Sequence, residues 1–301
     1  MKIAIIGGTG LLGKSLVNNY LSKGFEVKSF SRSHTECYDA KYNHIINFAK
    51  LEEELSKEFS IWKPNILVNT IALVNLKKCE DNYELAYSIN VDIAKKLSLI
   101  SIKFDSYFIH ISTDHFYNDL KIKHKEDDEV LLLNNYSVTK RQAEKEVLVI
   151  NKESLIVRTN IIGFRMSKVD SFFEWLLKAI TKKEKIQLFS NFYTSPISVY
   201  ELGNILLKCY KRDLCGIYNI SSSEVIDKLS FGIKTANKFG LDSNNISSVK
   251  IENFSQNELK RALTLGLDIS KIENILNIKM PTIDDTLETL FKEYKDKNEQ
   301  Q

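Results

Sequence analysis

Tyr136 and Lys140 stand four residues apart in Tyr136-Ser137-Val138-Thr139-Lys140. On a helix that spacing puts both side chains on one face, one turn apart. An ammonium beside a phenol stabilises the phenolate and lowers the tyrosine from its ordinary pKa of about 10. Such a pair can give or take a proton while a hydride moves. The spacing alone is weak: the chain has 13 tyrosines, and Tyr117 with Lys121 repeats it. Context separates the two pairs. Tyr117 falls in a polar loop, whereas Tyr136 begins a helical run that follows His110-Ile111-Ser112-Thr113-Asp114. In open α/β sheets ligands gather beyond the carboxyl ends of the strands, so Thr113 can hydrogen-bond a reacting carbonyl or hydroxyl beside Tyr136. A turn hydroxyl for Thr113 and a cap for Asp114 are the purely structural alternatives.

A second constellation is Gly7-Gly8-Thr9-Gly10-Leu11-Leu12-Gly13, which holds four of the chain's 11 glycines. Gly7 permits a tight turn, Gly10 lets backbone approach a pyrophosphate, and Gly13 permits close helix–strand packing. The helix that begins at Leu11 and Leu12 offers unpaired N–H groups to an anion. The segment follows an apolar run and opens an amphipathic one, which is the context a dinucleotide site needs. NAD-specific sites carry Asp or Glu about 20 residues on, at the end of the second strand. Here that stretch reads Ser29-Phe30-Ser31-Arg32-Ser33. It has no carboxylate, and the Arg32 guanidinium suits a 2′-phosphate. NADP(H) is therefore favoured over NAD(H); the alternative is that Arg32 stacks on adenine or points to water.

These residues need elements to hold them. Apolar runs at Lys2–Ile6, Phe25–Phe30, His44–Phe48, Asn65–Asn69, Ser106–Ile111 and Ser154–Arg158 read as strands. Helical stretches at Leu11–Lys23, Leu51–Phe59, Asp81–Lys103 and Tyr136–Ile150 separate them. Repeated β-α-β units imply an α/β fold, a Rossmann-like doubly wound parallel sheet. After Arg158 the rhythm changes to helices at Ser171–Thr181 and Val199–Tyr210, a strand at Gly216–Ile220, and a helical, polar remainder. This predicts a dinucleotide-binding domain over 1–160, with 197–220 returning to it. A smaller C-terminal substrate lobe takes 161–196 and 221–301.

Composition narrows the function. A net charge of +3 in 301 residues is too small to argue for a nucleic-acid or anionic-membrane partner. Cys37, Cys79, Cys209 and Cys215 show no metal-ligand spacing, so neither a metal site nor a disulfide framework is expected. No apolar run approaches the ~18 residues of a membrane span, and the N-terminal apolar run is too short for a signal peptide. The expected compartment is the cytoplasm.

Taken in order, the glycine motif, Asn69-Thr70-Ile71-Ala72, Ser112-Thr113-Asp114 and Tyr136…Lys140 resemble the extended short-chain dehydrogenase/reductase superfamily. Within it the chain is most similar to the dTDP-4-dehydrorhamnose reductases and related sugar-nucleotide reductases. Ser88-Ile89-Asn90-Val91, Arg158-Thr159-Asn160-Ile161-Ile162-Gly163 and Arg261-Ala262-Leu263 extend the resemblance over almost the whole chain. It implies Thr113, Tyr136 and Lys140 as the catalytic group. It also implies cofactor contacts at Asn47, Phe48, Thr70, Ala72 and Asn90. Substrate contacts would be Asp114, Arg158, Asn160, Tyr193 and Arg261. The implied reaction is reduction of a keto group, at C4, on a nucleotide-linked sugar. The implied assembly is a homodimer through the helices around 81–103 and 136–150. An epimerase or dehydrogenase that retains NAD, and a non-catalytic subunit that binds cofactor, are the competing readings.

Three departures stand out. Ala262 follows Arg261 where the family has proline. His115 stands where 4,6-dehydratases carry a glutamate, which argues against dehydration. Asn191-Phe192-Tyr193-Thr194-Ser195-Pro196 differs from the loop typical of dehydrorhamnose reductases, and leaves the particular sugar open.

Overall fold

The computed structural model describes residues 1–117, 121–167, 169–251, 260 and 262–299. Two compact units are present. The first comprises Met1–Thr113, Leu132–Arg158 and Gly203–Tyr218; the second comprises Asp114–Leu131, Thr159–Leu202 and Asn219–Gln301.

In the first unit, seven strands form one sheet: β1 (Lys2–Ile6), β2 (Glu26–Ser31), β3 (Asn43–Ile45), β4 (Ile66–Asn69), β5 (Tyr107–Ile111), β6 (Leu155–Arg158) and β7 (Gly216–Asn219). Their spatial order is β7-β6-β5-β4-β1-β2-β3. Every neighbouring pair from β3 to β6 runs parallel. The chain reverses its direction of travel across the sheet between β1 and β4, the switch point where such sheets bind ligands. Helices cover both faces, so β4 and β6 are buried at every position and read as unbroken apolar runs.

The helices are shaped by recognisable local chemistry. Leu51–Trp62 buries Leu51, Leu55, Phe59 and Trp62, a stripe at helical period, and ends at Lys63 in the left-handed region (φ 51°). Asn135–Ile150 starts at a reciprocal cap. The Asn134 side chain accepts from Ser137 N at 2.9 Å, and Asn134 N donates to Ser137 Oγ. That cap fixes where the turn bearing Tyr136 and Lys140 begins.

The second unit packs Phe173, Leu176, Phe231, Ile283 and Leu287 in its own core. Its four-stranded sheet orders Ile226–Asp227, Tyr193–Thr194, Thr264–Leu267 and Lys123–His124. Two differences from the sequence reading follow. The stretch 114–131 was expected with the dinucleotide-binding domain but belongs to the second unit. Lys123–His124 pairs with Thr264–Leu267, and His124 Nε2 lies 3.0 Å from Thr264 O. The C-terminal third, expected to be helical, also contains strands at Ile226–Asp227, Ile246–Val249 and Thr264–Leu267. Runs of two to four residues are too short for a two-residue period to stand out.

The expected helix Asp81–Lys103 is also broken. Leu76–Asp81 and Tyr83–Tyr87 precede a π-helical turn at Ser88–Asp92, and only then does Ile93–Lys103 continue. The expected third strand, His44–Phe48, stops at Ile45, and Phe48–Lys50 forms a 3-10 turn instead.

Candidate active site

A cleft of about 270 Å3 opens at the switch point of the first unit. Gly7, Thr9 and Gly10 wall it beyond β1, Ser31 and Arg32 at the end of β2, and Thr70 to Leu73 beyond β4. Phe48, Ile89 and Ile93 close the apolar side. Gly7 adopts φ +94° and its N–H donates to Phe30 O at 2.8 Å. A Cβ on Gly13 would lie 2.3 Å from Gly7 O, so the helix Leu11–Ser22 can seat this close only with glycine there. No side chain caps that helix, and its first turn has no acidic residue. Its N-terminus thus offers main-chain donors and positive potential beside the cleft. A glycine-shaped cradle at a helix N-terminus fits the diphosphate of a dinucleotide, and the Arg32 guanidinium stands at the end of β2.

Six of the expected cofactor residues line this cleft: Gly7, Gly10, Arg32, Phe48, Thr70 and Ala72. Others act one step back. Leu12 and Gly13 are buried in the helix beneath, and Leu11 opens its first turn. Asn47 turns its side chain to Ala49 N at 3.0 Å and caps the turn that presents Phe48. Asn90 is buried within the π-helical turn. Its Oδ1 accepts from Leu73 N at 2.7 Å and its Nδ2 donates to Thr139 Oγ1 at 3.0 Å. Asn90 therefore fixes the Thr70–Leu73 wall and ties it to the Asn135–Ile150 helix.

Tyr136 is 8% exposed and packs with Cys79 and Ala86, against Leu73 of the cleft wall. One turn on, Lys140 is fully buried. Its Nζ donates to Ile111 O at 2.7 Å and lies 3.5 Å from His110 Nε2. Burial pushes the Lys140 ammonium down to about 8, against the pull of Glu144. The anchor at Ile111 brings this turn to the carboxyl end of β5, two residues before the buried Thr113. The rival pair separates in the structure. Tyr117, expected in a polar loop, is buried; it stacks on His124 at 4.4 Å and donates to Lys125 O. Lys121 pairs with Asp128 at 2.7 Å.

The expected substrate contacts divide. In the second unit Asp114 is buried, and burial raises its carboxyl above the usual range, with His115 opposing. Asp114 Oδ2 accepts from Asn160 Nδ2 at 2.7 Å. Tyr193 is half-buried in its strand, its N–H donating to Leu263 O. Arg158 does not present its guanidinium to a ligand. Neither it nor Glu144 is exposed, and the two meet through Nε–Oε1 at 3.0 Å and Nη2–Oε2 at 2.8 Å. A buried carboxylate on the neighbouring helix claims the arginine that the motif places at the end of β6. Arg261 lies outside the described residues.

Sequence reasoning missed Lys228, a half-buried residue of the second unit. Its Nζ stands 4.6 Å from the Phe172 ring centre and 5.9 Å from that of Phe192. Burial pushes its ammonium down to about 8, with Asp114 opposing. No local pattern marks it, because its aromatic neighbours come from distant segments. Ile89 and Ile93, also missed, carried a signal: they are four apart on either side of Asn90.

Over residues 1–296 the chain matches the family model described as the RmlD substrate binding domain. It belongs to that family. RmlD-type chains of this kind are dTDP-4-dehydrorhamnose reductase-like members of the extended short-chain dehydrogenase/reductase superfamily. Among its relatives is the probable low-salt glycan biosynthesis reductase Agl14 of Haloferax volcanii, 24% identical over 297 residues, 97% of this chain and 98% of the relative. The methionine adenosyltransferase 2 subunit beta of Xenopus laevis is 24% identical over 288 residues, 90% of this chain and 81% of that one. Among solved structures, the dTDP-4-dehydrorhamnose reductase of Bacillus anthracis in complex with NADP superposes with a TM-score of 0.82 at 21% identity, covering 97% of this chain and 99% of the other. That last likeness is one of fold.

Proposed function

We propose that this RmlD-type chain uses NADP(H) to reduce a keto group, at C4, on a nucleotide-activated sugar, in deoxysugar or surface-polysaccharide biosynthesis. The observation that carries the reading is the switch-point cleft. It is bounded by Gly7, Gly10 and Arg32, and the Tyr136–Lys140 turn is anchored to the end of β5, next to β4 in the sheet.

Bound in the cleft, the dinucleotide would supply the hydride. Gly7, Gly10 and the amides at Leu11 and Leu12 would hold its diphosphate, Arg32 its 2′-phosphate, and Phe48, Thr70 and Ala72 its remaining faces. The protein's own part is proton transfer and positioning. Tyr136 Oη gives its proton to the carbonyl oxygen as that oxygen gains charge. The Lys140 ammonium lowers the cost of the phenolate left behind, and Thr113 orients the carbonyl. In the second unit Asp114, Asn160, Tyr193 and Lys228 supply acceptors and donors suited to sugar hydroxyls. We take the protein to be cytoplasmic and homodimeric. Leu99, Ile102 and Val149 are exposed on the helices that the dimer would use.

The test is NADPH oxidation with a panel of 4-keto sugar nucleotides, products read by NMR. Tyr136→Phe should cut kcat roughly 100-fold or more while NADPH affinity changes little. Near-normal turnover in that variant would reject the proton-donor role.

A second reading has a specific observation behind it, the similarity to a methionine adenosyltransferase subunit. Under it the chain binds cofactor and a protein partner without turnover. A stoichiometric partner, together with no NADPH oxidation across the panel, would favour it.

A further inference from the structure

We propose that His110 is a positioning residue for Lys140: Asn69 locks its imidazole as the Nε2–H tautomer, and that N–H faces the Lys140 side chain and opposes its charge. The lock follows from hydrogen-bond accounting. Asn69 and His110 sit opposite each other on β4 and β5, and both are buried. Asn69 Oδ1 accepts from Ile71 N at 3.0 Å. The other end of the same amide, Nδ2, therefore faces His110 Nδ1, at 3.0 Å. An amide nitrogen only donates, so Nδ1 must present its lone pair. A neutral imidazole has one N–H, and it must then sit on Nε2. Burial holds His110 well below its ordinary pKa, with Lys140 adding to the effect, which keeps the ring in that neutral state.

Nε2 lies 3.5 Å from Lys140 Nζ. Two donors face each other there, and the strand side offers the ammonium one acceptor, Ile111 O at 2.7 Å. A neutral amine, by contrast, can accept from Nε2–H. The imidazole thus favours the uncharged form. Glu144, one turn along the same helix, pulls the other way, but its carboxylate is shared among Arg158, Arg141 and Ser112. Ile71 belongs to the cleft wall, so the relay Ile71–Asn69–His110–Lys140 joins that wall to the lysine.

The inference rests on the proposed catalytic role of Lys140 only for its kinetic arm. Protein labelled with 15N-histidine gives long-range 1H–15N correlations, and the pattern lost in His110→Gln belongs to His110. At pH 7 we expect the Nε2–H pattern; an Nδ1–H tautomer or an imidazolium overturns the proposal. In Asn69→Asp the new carboxylate accepts from both Ile71 N–H and Nδ1–H, so the tautomer should flip and Nε2 should accept from Lys140. The Lys140 pKa, read from its 13Cε shift and assigned with Lys140→Met, should rise by about one unit. The high-pH limb of kcat/KM should move with it. A flipped tautomer with an unmoved lysine also overturns the proposal. If Asn69→Asp does not fold, the wild-type tautomer still decides. If turnover is absent throughout, the reductase reading fails while both spectroscopic arms stand.

Discussion

Arg158 and Glu144 meet bidentately with neither side chain exposed, and Ser112 Oγ and Arg141 Nη1 each add a 2.6 Å hydrogen bond to the same carboxylate. The cluster ties β6, the end of β5 and the helix bearing Tyr136 and Lys140 into one body.

Removing Arg158 takes away the bidentate partner of a buried carboxylate and leaves Arg141 as its remaining cation. Arg158→Met should therefore destabilise the protein by up to about 3–5 kcal/mol, the limit for a charge left wholly uncompensated, measured by urea unfolding. The substrate KM of whatever remains folded should stay within a few-fold. A stable variant with a large, selective rise in KM would return Arg158 to the substrate site.

Gly13→Ala should weaken NADPH binding roughly tenfold or more, from overpacking of about 1–3 kcal/mol. The added methyl would meet Gly7 O and Gly8 Cα, main-chain atoms of the turn itself. Titration of NADPH fluorescence reads the effect. Unchanged affinity would mean that this turn does not carry the diphosphate.

Arg32 is exposed at the cleft mouth. Arg32→Ala should cost NADPH roughly tenfold or more in affinity, the size of a charge-assisted hydrogen bond, and leave NADH nearly unchanged. Equal losses for both would remove the argument for a 2′-phosphate.

Glu293 offers a stability switch in the second unit. Burial raises its carboxyl to about 7, against the pull of Lys297, and its Oε1 has no hydrogen-bond partner. Its folded pKa lies above the unfolded value of about 4.3, so the folded state binds more protons between the two. Stability from this group is full below pH ~4 and is lost as pH rises through 7. Glu293→Gln should then raise stability by on the order of 1 kcal/mol at pH 8, with the gap closing near pH 4. Thermal melts across that range check it, and a gap that widens on acidification would contradict it.

Much of the first unit was legible because local physics sufficed. Unbroken apolar runs, a glycine-rich turn and amphipathic helices announced alternating strands and helices, and the turn bearing Tyr136 and Lys140 was read in place. What was lost has physical reasons. Asn90 interrupts its helix because its amide is bonded to Leu73 and Thr139, neither of them a sequence neighbour. Residues 114–131 join the second unit because Lys123–His124 finds its partner strand about 140 residues away, at Thr264–Leu267.

By itself, then, the amino-acid order determined the period of each element, the glycine cradle and the one-turn spacing of phenol and ammonium. These depend on bonds and neighbours within a few residues. Tertiary structure alone decided which polar side chains meet which partners. Arg158 is captured by Glu144, His110 is held by Asn69 beside Lys140, and Lys228 lies near two phenylalanines from distant segments. Each of these depends on what is packed around the side chain, which is a property of the folded whole.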